Sequence, residues 1–208
     1  MDRLPPHALP EFETLLRLRR DVRRFRPERL PDDLTAHLLS LTALAPSVGL
    51  SQPTRLVLVD DPARREAVRQ DFRRRNAEAL VRTAPERQAA YARLKLSGLE
   101  EAPVQIGVFA AGDPPQGHGL GRRTMPETLD HSAVLAIHTL WLAARAAGVG
   151  LGWVSILDPA AVHAALDVPA DWRFVAYLCL GWPVEDSDVP ELERAGWESR
   201  RPAVILRR

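Results

Sequence analysis

PETLDHSAVLAIHTLWLAARAAGVGLGWVSI, Pro126 to Ile156, joins a helical pattern to a strand pattern, and the fold class follows from that junction. Apolar side chains from Leu129 to Ala147 are dense enough for a helix in the centre of the fold or at a subunit interface. His138, Thr139 and Arg145 interrupt the run, so it reads as a core helix and not as a membrane span. Gly148, Gly150 and Gly152 then lead into the strand LGWVSI.

Working outward, RLVLVDD, VQIGVFAAG and FVAYLCLGWP read as three more strands, with charged or amphipathic helical stretches between them. Phe12, Leu15 and Leu16 follow helical spacing, which places the arginines that come next at the C-terminal end of a first helix or just after it. PDDLTAHLLSLTALAPS reads as a second helix, stopped before Pro46 and Gly49. Asp158 caps a short helix with Pro159 at its first position, and Ala203 to Leu206 is a β-prone tail. The charged stretch from Pro62 to Pro103 is helix-forming and interrupted at Pro85. Its part from about 73 to 102 is either a lid over something or a solvated arm. Strands interleaved with long helices predict one α/β (α+β) layered domain over residues 1–208, its sheet covered on both faces.

The chain has 208 residues and a formal net charge of +1. That balance argues against a dedicated nucleic-acid binder, whose basic excess is usually large and clustered. Arginine supplies every cation except Lys95, so the position of an arginine says more than the number. The single cysteine, Cys179, excludes an internal disulfide and any cysteine cage for a metal, and its apolar surroundings predict a buried, inert thiol. MDRLPPHALPEF lacks the charged-then-apolar pattern of a signal peptide, and a cytoplasmic protein with no membrane partner is expected.

Several motif readings fail on spacing. Gly117, Gly119 and Gly121 stand between a strand and a helix but lack a Gly-Lys-Ser/Thr ending and the Gly-x-Gly-x-x-Gly spacing. Gly148, Gly150 and Gly152 join helix to strand, the reverse of the dinucleotide-binding order, and suit close approach of backbone to a flat ligand or another helix. His131 and His138 stand seven apart, not at the i, i+4 spacing of a helical metal pair, and no metal is expected. Ser47, Ser51 and Ser155 lack a nucleophile elbow. What remains is LRLRRDVRRFRPERL, Leu16 to Leu30, with seven arginines in fifteen residues and Asp21 among them. Arg19, Arg20 and Arg23 can turn at least two guanidinium forks to one spot, the geometry for a phosphate. Asp21 reads equally as a salt-bridge partner for one of them.

RRDVRRF, APSVGLSQP, YARLKLSGLEEAPV, GLGRRTMPETL, AIHTLWLAARAAGVGLGWVSIL, VAYLCLGWP and PELERAGWE occur in the order and spacing of the flavin-dependent nitroreductase superfamily. The resemblance runs from about Leu15 to Trp197. RRDVR, TMPE and GWVSILDP together are similar to the branch whose members consume their flavin. The resemblance implies a homodimer with FMN between subunits, on a mixed sheet flanked by helices, with a covering segment over the flavin. It further implies that reduced FMN is the substrate and dioxygen the co-substrate, and that 5,6-dimethylbenzimidazole and erythrose 4-phosphate are formed, the former being the lower base of cobalamin. A flavin reductase is then a possible partner.

By the same resemblance, Arg19, Arg20 and Arg23 match arginines holding the FMN phosphate and ribityl end, and Arg200 and Arg201 match a basic tail completing that site. Ser47 and Gln52 match flavin-contacting positions. Gly150, Gly152 and Ser155 fall on the strand beside the ring, with Ser155 at a serine implicated in fragmentation. Asp21 stands where ordinary nitroreductases more often have serine, which suits a base or proton shuttle at the ribityl carbon, and the cations around it favour its ionised form. Thr54 departs from the pattern, since an aromatic residue usually follows Gln-Pro; loop packing is what that puts in question. Two other functions compete: an NAD(P)H-dependent nitroreductase or flavin reductase that recycles FMN, and a non-catalytic flavin-binding protein.

Overall fold

The computed structural model describes residues 5–208. Its elements are α1 (Ala8–Leu18), α2 (Asp32–Ser40), β1 (Thr54–Leu58), α3 (Pro62–Arg82), α4 (Pro85–Tyr91), β2 (Val104–Ala111), α5 (Thr128–Ala146), β3 (Gly150–Val154), α6 (Pro159–Leu166), β4 (Trp172–Gly181) and α7 (Glu191–Arg194). The four strands form one sheet in the order β1-β2-β4-β3. Each neighbouring pair is antiparallel. The parallel component of the mixed sheet is confined among the described residues to one bridge, Asp21 to Leu151.

The sheet is sandwiched because its central strands are apolar on both faces. Along β4 the side chains alternate: Leu178 and Leu180 join Leu38, Ile137 and Leu140 on the α2/α5 side, while Tyr177 and Cys179 join Val68, Val162 and Leu166 on the α3/α6 side. This is the period-2 pattern of a strand. Each fully buried aliphatic side chain contributes about 1.5–3 kcal/mol of transfer free energy, so two continuous cores hold the layers.

Local chemistry sets the ends of the helices. Asp61 and Asp158 accept the N–H of Ala63 and Ala160 ahead of Pro62 and Pro159, capping α3 and α6. Pro85 separates α3 from α4. Two expectations change. The tail from Ala203 to Leu206 forms no strand and is exposed, because nothing among the described residues pairs with it. The stretch from 73 to 102 is no uniform lid: Leu99 and Ala102 are core residues, whereas α4 buries none of its residues. Among the described residues no helix is long and apolar enough to cross a membrane.

Candidate functional site

Residues 19–25 leave α1 in extended conformation and lie along β3. The Val22 N–H donates to the Leu151 carbonyl at 3.0 Å, and the Trp153 N–H donates to Asp21 Oδ1 at 2.8 Å. Glycine makes this approach possible. A Cβ on Gly152 would stand 2.0 Å from the Val22 carbonyl oxygen, and one on Gly150 would meet Val22 Cγ1 at 3.0 Å. The two glycines therefore admit the arginine segment; the face expected beside a flat ring is filled by Val22.

Trp141, on α5, fixes the same segment from the other side. Its indole N–H donates to the Arg20 carbonyl at 2.9 Å, and Arg19 lies over its ring with Cζ 4.6 Å from the centroid. The sequence signal for Trp141 is its spacing, about two helical turns before the turn at Gly148, which lets it reach the segment that β3 carries.

Asp21 is the most constrained group of the set. Its Oδ2 accepts from Arg23 Nε at 3.0 Å and lies 2.9 Å from Arg23 Nη2, while its side chain keeps 30 % of its surface open. Burial pushes the Asp21 carboxyl above its ordinary range. Arg23, the Trp153 N–H and Arg19 oppose that without overturning it. The neighbouring cations do favour the ionised form, as expected, but desolvation outweighs them. Arg23 Nη1 donates to the Lys95 carbonyl at 2.9 Å, so all three of its nitrogens are engaged.

The cation cluster consists of Arg19, Arg20 and Arg200. Arg19 is held below its ordinary value by burial and by Arg200, with Asp21 pulling the other way. Arg20 is lowered by burial and then by Arg200 and Arg19. These three, with Asp21, Arg23, Pro190, Glu191 and Leu192, line one cleft. Arg20 donates its two Nη groups to the Arg19 and Asp188 carbonyls, and its buried Nε alone has no hydrogen-bond partner among the described residues. Crowded, incompletely paired guanidinium groups fit a phosphate, which supplies both the charge and the acceptors they lack. Arg201 is not part of the cluster: its nearest acid is Glu198 at 3.8 Å, and its side chain is 83 % exposed.

Ser47 and Gln52 line a second cleft that shares no residue with the first. The Gln52 N–H donates to Ser47 Oγ at 3.1 Å. Leu50 and Gln52 both hold positive φ, 54° and 44°, a conformation that costs non-glycine residues free energy and persists where neighbours impose it. Gln116 imposes it here, donating to the Leu50 carbonyl at 2.6 Å and to Gln52 Oε1 at 2.9 Å. Thr54 lines the same cleft and pairs with Ala110 in the sheet, so the loop is braced by Gln116 without an aromatic residue at 54.

Ser155 follows the last residue of β3 and is exposed. It precedes an ionic knot: Asp71, buried, accepts the Asp158 N–H at 2.7 Å, and Arg75 pairs with Asp158. That knot fixes the turn between Ser155 and α6. Within one chain, then, the arginine cleft and the Ser47–Gln52 cleft are two separate halves.

Residues 16–182 match the model of the nitroreductase family. The chain is 60 % identical over 197 residues to the 5,6-dimethylbenzimidazole synthase of Rhodospirillum rubrum, covering 95 % of this chain and 93 % of that protein. It is 50 % identical over 194 residues to the enzyme of the same name from Rhodobacter capsulatus, covering 93 % and 94 %. Among solved structures it resembles iodotyrosine deiodinase bound to FMN and 3-iodo-L-tyrosine, with a TM-score of 0.73 at 23 % identity, over 94 % of this chain and 97 % of that one.

Proposed function

Because this chain belongs to the nitroreductase family, we propose that it is a 5,6-dimethylbenzimidazole-forming enzyme that fragments reduced FMN with dioxygen, releasing erythrose 4-phosphate. The observation that carries this reading is a carboxyl group, Asp21, wedged between an incompletely paired arginine cluster and the edge of β3. A reductase that only passes electrons through FMN needs the arginines and has no use for a carboxyl of raised proton affinity beside them.

When bound in reduced form, FMN supplies the electrons for dioxygen and the carbon skeleton of the benzimidazole. The chain supplies the rest. Arg19, Arg20 and Arg200 take the phosphate. Asp21, held through Trp153 and Arg23, accepts and returns a proton at the ribityl carbon next to the ring, a role that suits a carboxyl whose proton affinity has been raised towards the working pH. Ser155 offers a hydroxyl for a hydrogen bond beside the ring.

The flavin lies between subunits of a homodimer in this reading, the Ser47–Gln52 cleft of one chain facing the arginine cleft of the other. Two features support it. The clefts are separate in one chain, and apolar side chains stand exposed on the tail, where Val204 and Ile205 are 88 % and 82 % exposed, and on α5 at Val134 and Leu135. The one buried cysteine suits the cytoplasm.

The test is to load the protein with reduced FMN without air, admit dioxygen, and quantify dimethylbenzimidazole, erythrose 4-phosphate and surviving FMN by chromatography. Benzimidazole formed in proportion to FMN lost is the expected result. Intact FMN with sustained NAD(P)H consumption on a nitroaromatic would replace this reading with that of a recycling reductase.

A further inference from the structure

Arg23 carries the sequence signature of a phosphate ligand, yet its geometry assigns it other work. Two of its nitrogens grip one oxygen of Asp21. The third donates to the carbonyl of Lys95, 72 positions away in the chain. Its side chain is 13 % exposed. With every nitrogen engaged and little surface left, Arg23 differs from Arg20, whose Nε has no partner among the described residues.

Lys95 sits where the covering stretch changes character. Downstream the chain is anchored: Leu99 is 1 % exposed, and Gly98 packs so closely on Phe25 that a Cβ there would stand 2.3 Å from the ring. Upstream, α4 is held by few contacts. Tyr91 donates its hydroxyl to Asn76 at 2.8 Å, and its ring meets Trp197 edge-on at 6.0 Å. The Lys95 carbonyl is thus the last fixed point before the loosely held part of the segment.

We propose that Arg23 is a positioning residue that couples the segment around Tyr91–Lys95 to Asp21, so that seating the segment holds the Arg23 fork square on the carboxylate and sets its proton affinity. The inference rests on the reading of Asp21 as the proton-handling group. Nε and Nη2 can both reach one carboxylate oxygen only while that oxygen lies near the guanidinium plane. The Lys95 carbonyl fixes that plane, and tilting it leaves a point charge where there was a fork. Coupling of this kind is reciprocal: whatever loosens the segment raises the proton affinity of Asp21, and ionising Asp21 tightens the segment.

The charged and titratable groups facing Asp21 are few. Arg19 and Arg23 come from its own segment. Cys179 lies on β4, its thiol pushed up to about 12 by burial, so it stays neutral near pH 7. Arg20, Arg200 and Glu191 line the shared cleft, Glu191 paired with Arg24 at 2.6 Å. On the covering side Lys95 is paired with Glu101 at 2.7 Å. A neutral change at Tyr91 therefore tests the coupling without altering any of these charges.

The experiment titrates Asp21 by carbon-13 NMR in flavin-free protein labelled at aspartate, with the signal assigned from Asp21→Asn. Arg23→Lys keeps the charge and loses the fork; it is expected to raise the proton affinity of Asp21 about tenfold, the low end for a charged hydrogen bond. Tyr91→Ala is expected to raise it in the wild-type background and to leave it unchanged in the Arg23→Lys background. An Asp21 titration unmoved by Arg23→Lys overturns the proposal, as does a Tyr91→Ala shift of equal size in both backgrounds. Binding provides a further arm: if Arg23→Lys weakens FMN while sparing riboflavin, Arg23 is a phosphate ligand and the proposal fails. In the functional arm, the acid limb of the pH profile for benzimidazole formation shifts with the NMR midpoint. If the midpoint moves as expected and no protein, wild type included, forms benzimidazole, the proposed function falls and the coupling stands.

Discussion

Gly152→Ala tests the packing on which the site depends. The new Cβ would stand 2.0 Å from the Val22 carbonyl oxygen, 3.2 Å from its carbon and 3.8 Å from Asp21 Oδ1. These are mainly backbone atoms, so relief requires the arginine segment to lift off β3 by more than an ångström. Two bonds are then lost, Val22 N–H to Leu151 O and Trp153 N–H to Asp21 Oδ1. A neutral bond contributes about 0.5–1.5 kcal/mol and one to a charged acceptor about 1.5–3. With allowance for non-additivity the destabilisation is about 3 kcal/mol, a large share of the 5–15 kcal/mol typical of a folded domain. Urea unfolding measures it, and FMN titration by fluorescence reports the displaced arginines. Gly150→Ala is the control: the three atoms nearest its Cβ belong to the Val22 side chain, at 3.0–3.1 Å, and two of them are the Cγ methyls, so Val22→Ala should relieve Gly150→Ala in part and leave Gly152→Ala unrelieved. Wild-type stability and FMN affinity in Gly152→Ala would refute the reasoning.

Arg19→Ala or Arg200→Ala should weaken FMN about ten- to a hundredfold with little change for riboflavin, while Arg201→Ala, outside the cluster, should change neither in fluorescence titrations. Asp21→Asn and Ser155→Ala should both retain FMN; Asp21→Asn should lose benzimidazole formation about a hundred- to ten-thousandfold, with the flavin recovered intact by chromatography after dioxygen is admitted. Stability should also carry the sign of the Asp21 shift. Its folded-state proton affinity exceeds that of the unfolded chain, whose ordinary value is 3.8, so the folded state binds the proton more tightly and wild type loses stability relative to Asp21→Asn as pH rises above that value. Urea midpoints of the two proteins across weakly acidic pH check it, and a difference independent of pH counts against a raised Asp21.

The layered fold was legible because β4 and α5 bury whole faces, and burial writes its period into the residues themselves. Asp158 and Pro85 marked helix ends for the same reason, since capping and the missing proline N–H act within a few residues; Asp61, read into the strand RLVLVDD, proves to be the cap of α3. The site was legible as a set of residue types and not as an arrangement. Arg19, Arg20 and Arg23 look alike along the chain, yet only the first two join the cation cluster, because the Lys95 carbonyl that claims Arg23 arrives from another element. Arg200 and Arg201 are likewise neighbours with different fates, decided by how the chain leaves α7. Gly150 and Gly152 declared close approach; what approaches is Val22, and nothing local could name it.

Asp21 carries that limit furthest. Counting cations around it gave the sign of the Coulomb interaction and missed the larger opposing effect, the desolvation that comes from lying against β3. The balance has a consequence for ligand binding. Arg19 helps keep Asp21 ionised, and Arg19 is also one of the cations placed to receive a phosphate. In the proposed reading a phosphate dianion at the cluster would cancel part of that field, so Asp21 would gain proton affinity when the site fills. Proton transfer is most effective when the carboxyl titrates near the working pH. The phosphate end of the ligand would then tune the group proposed to act at its other end, through the arginine that lies between them.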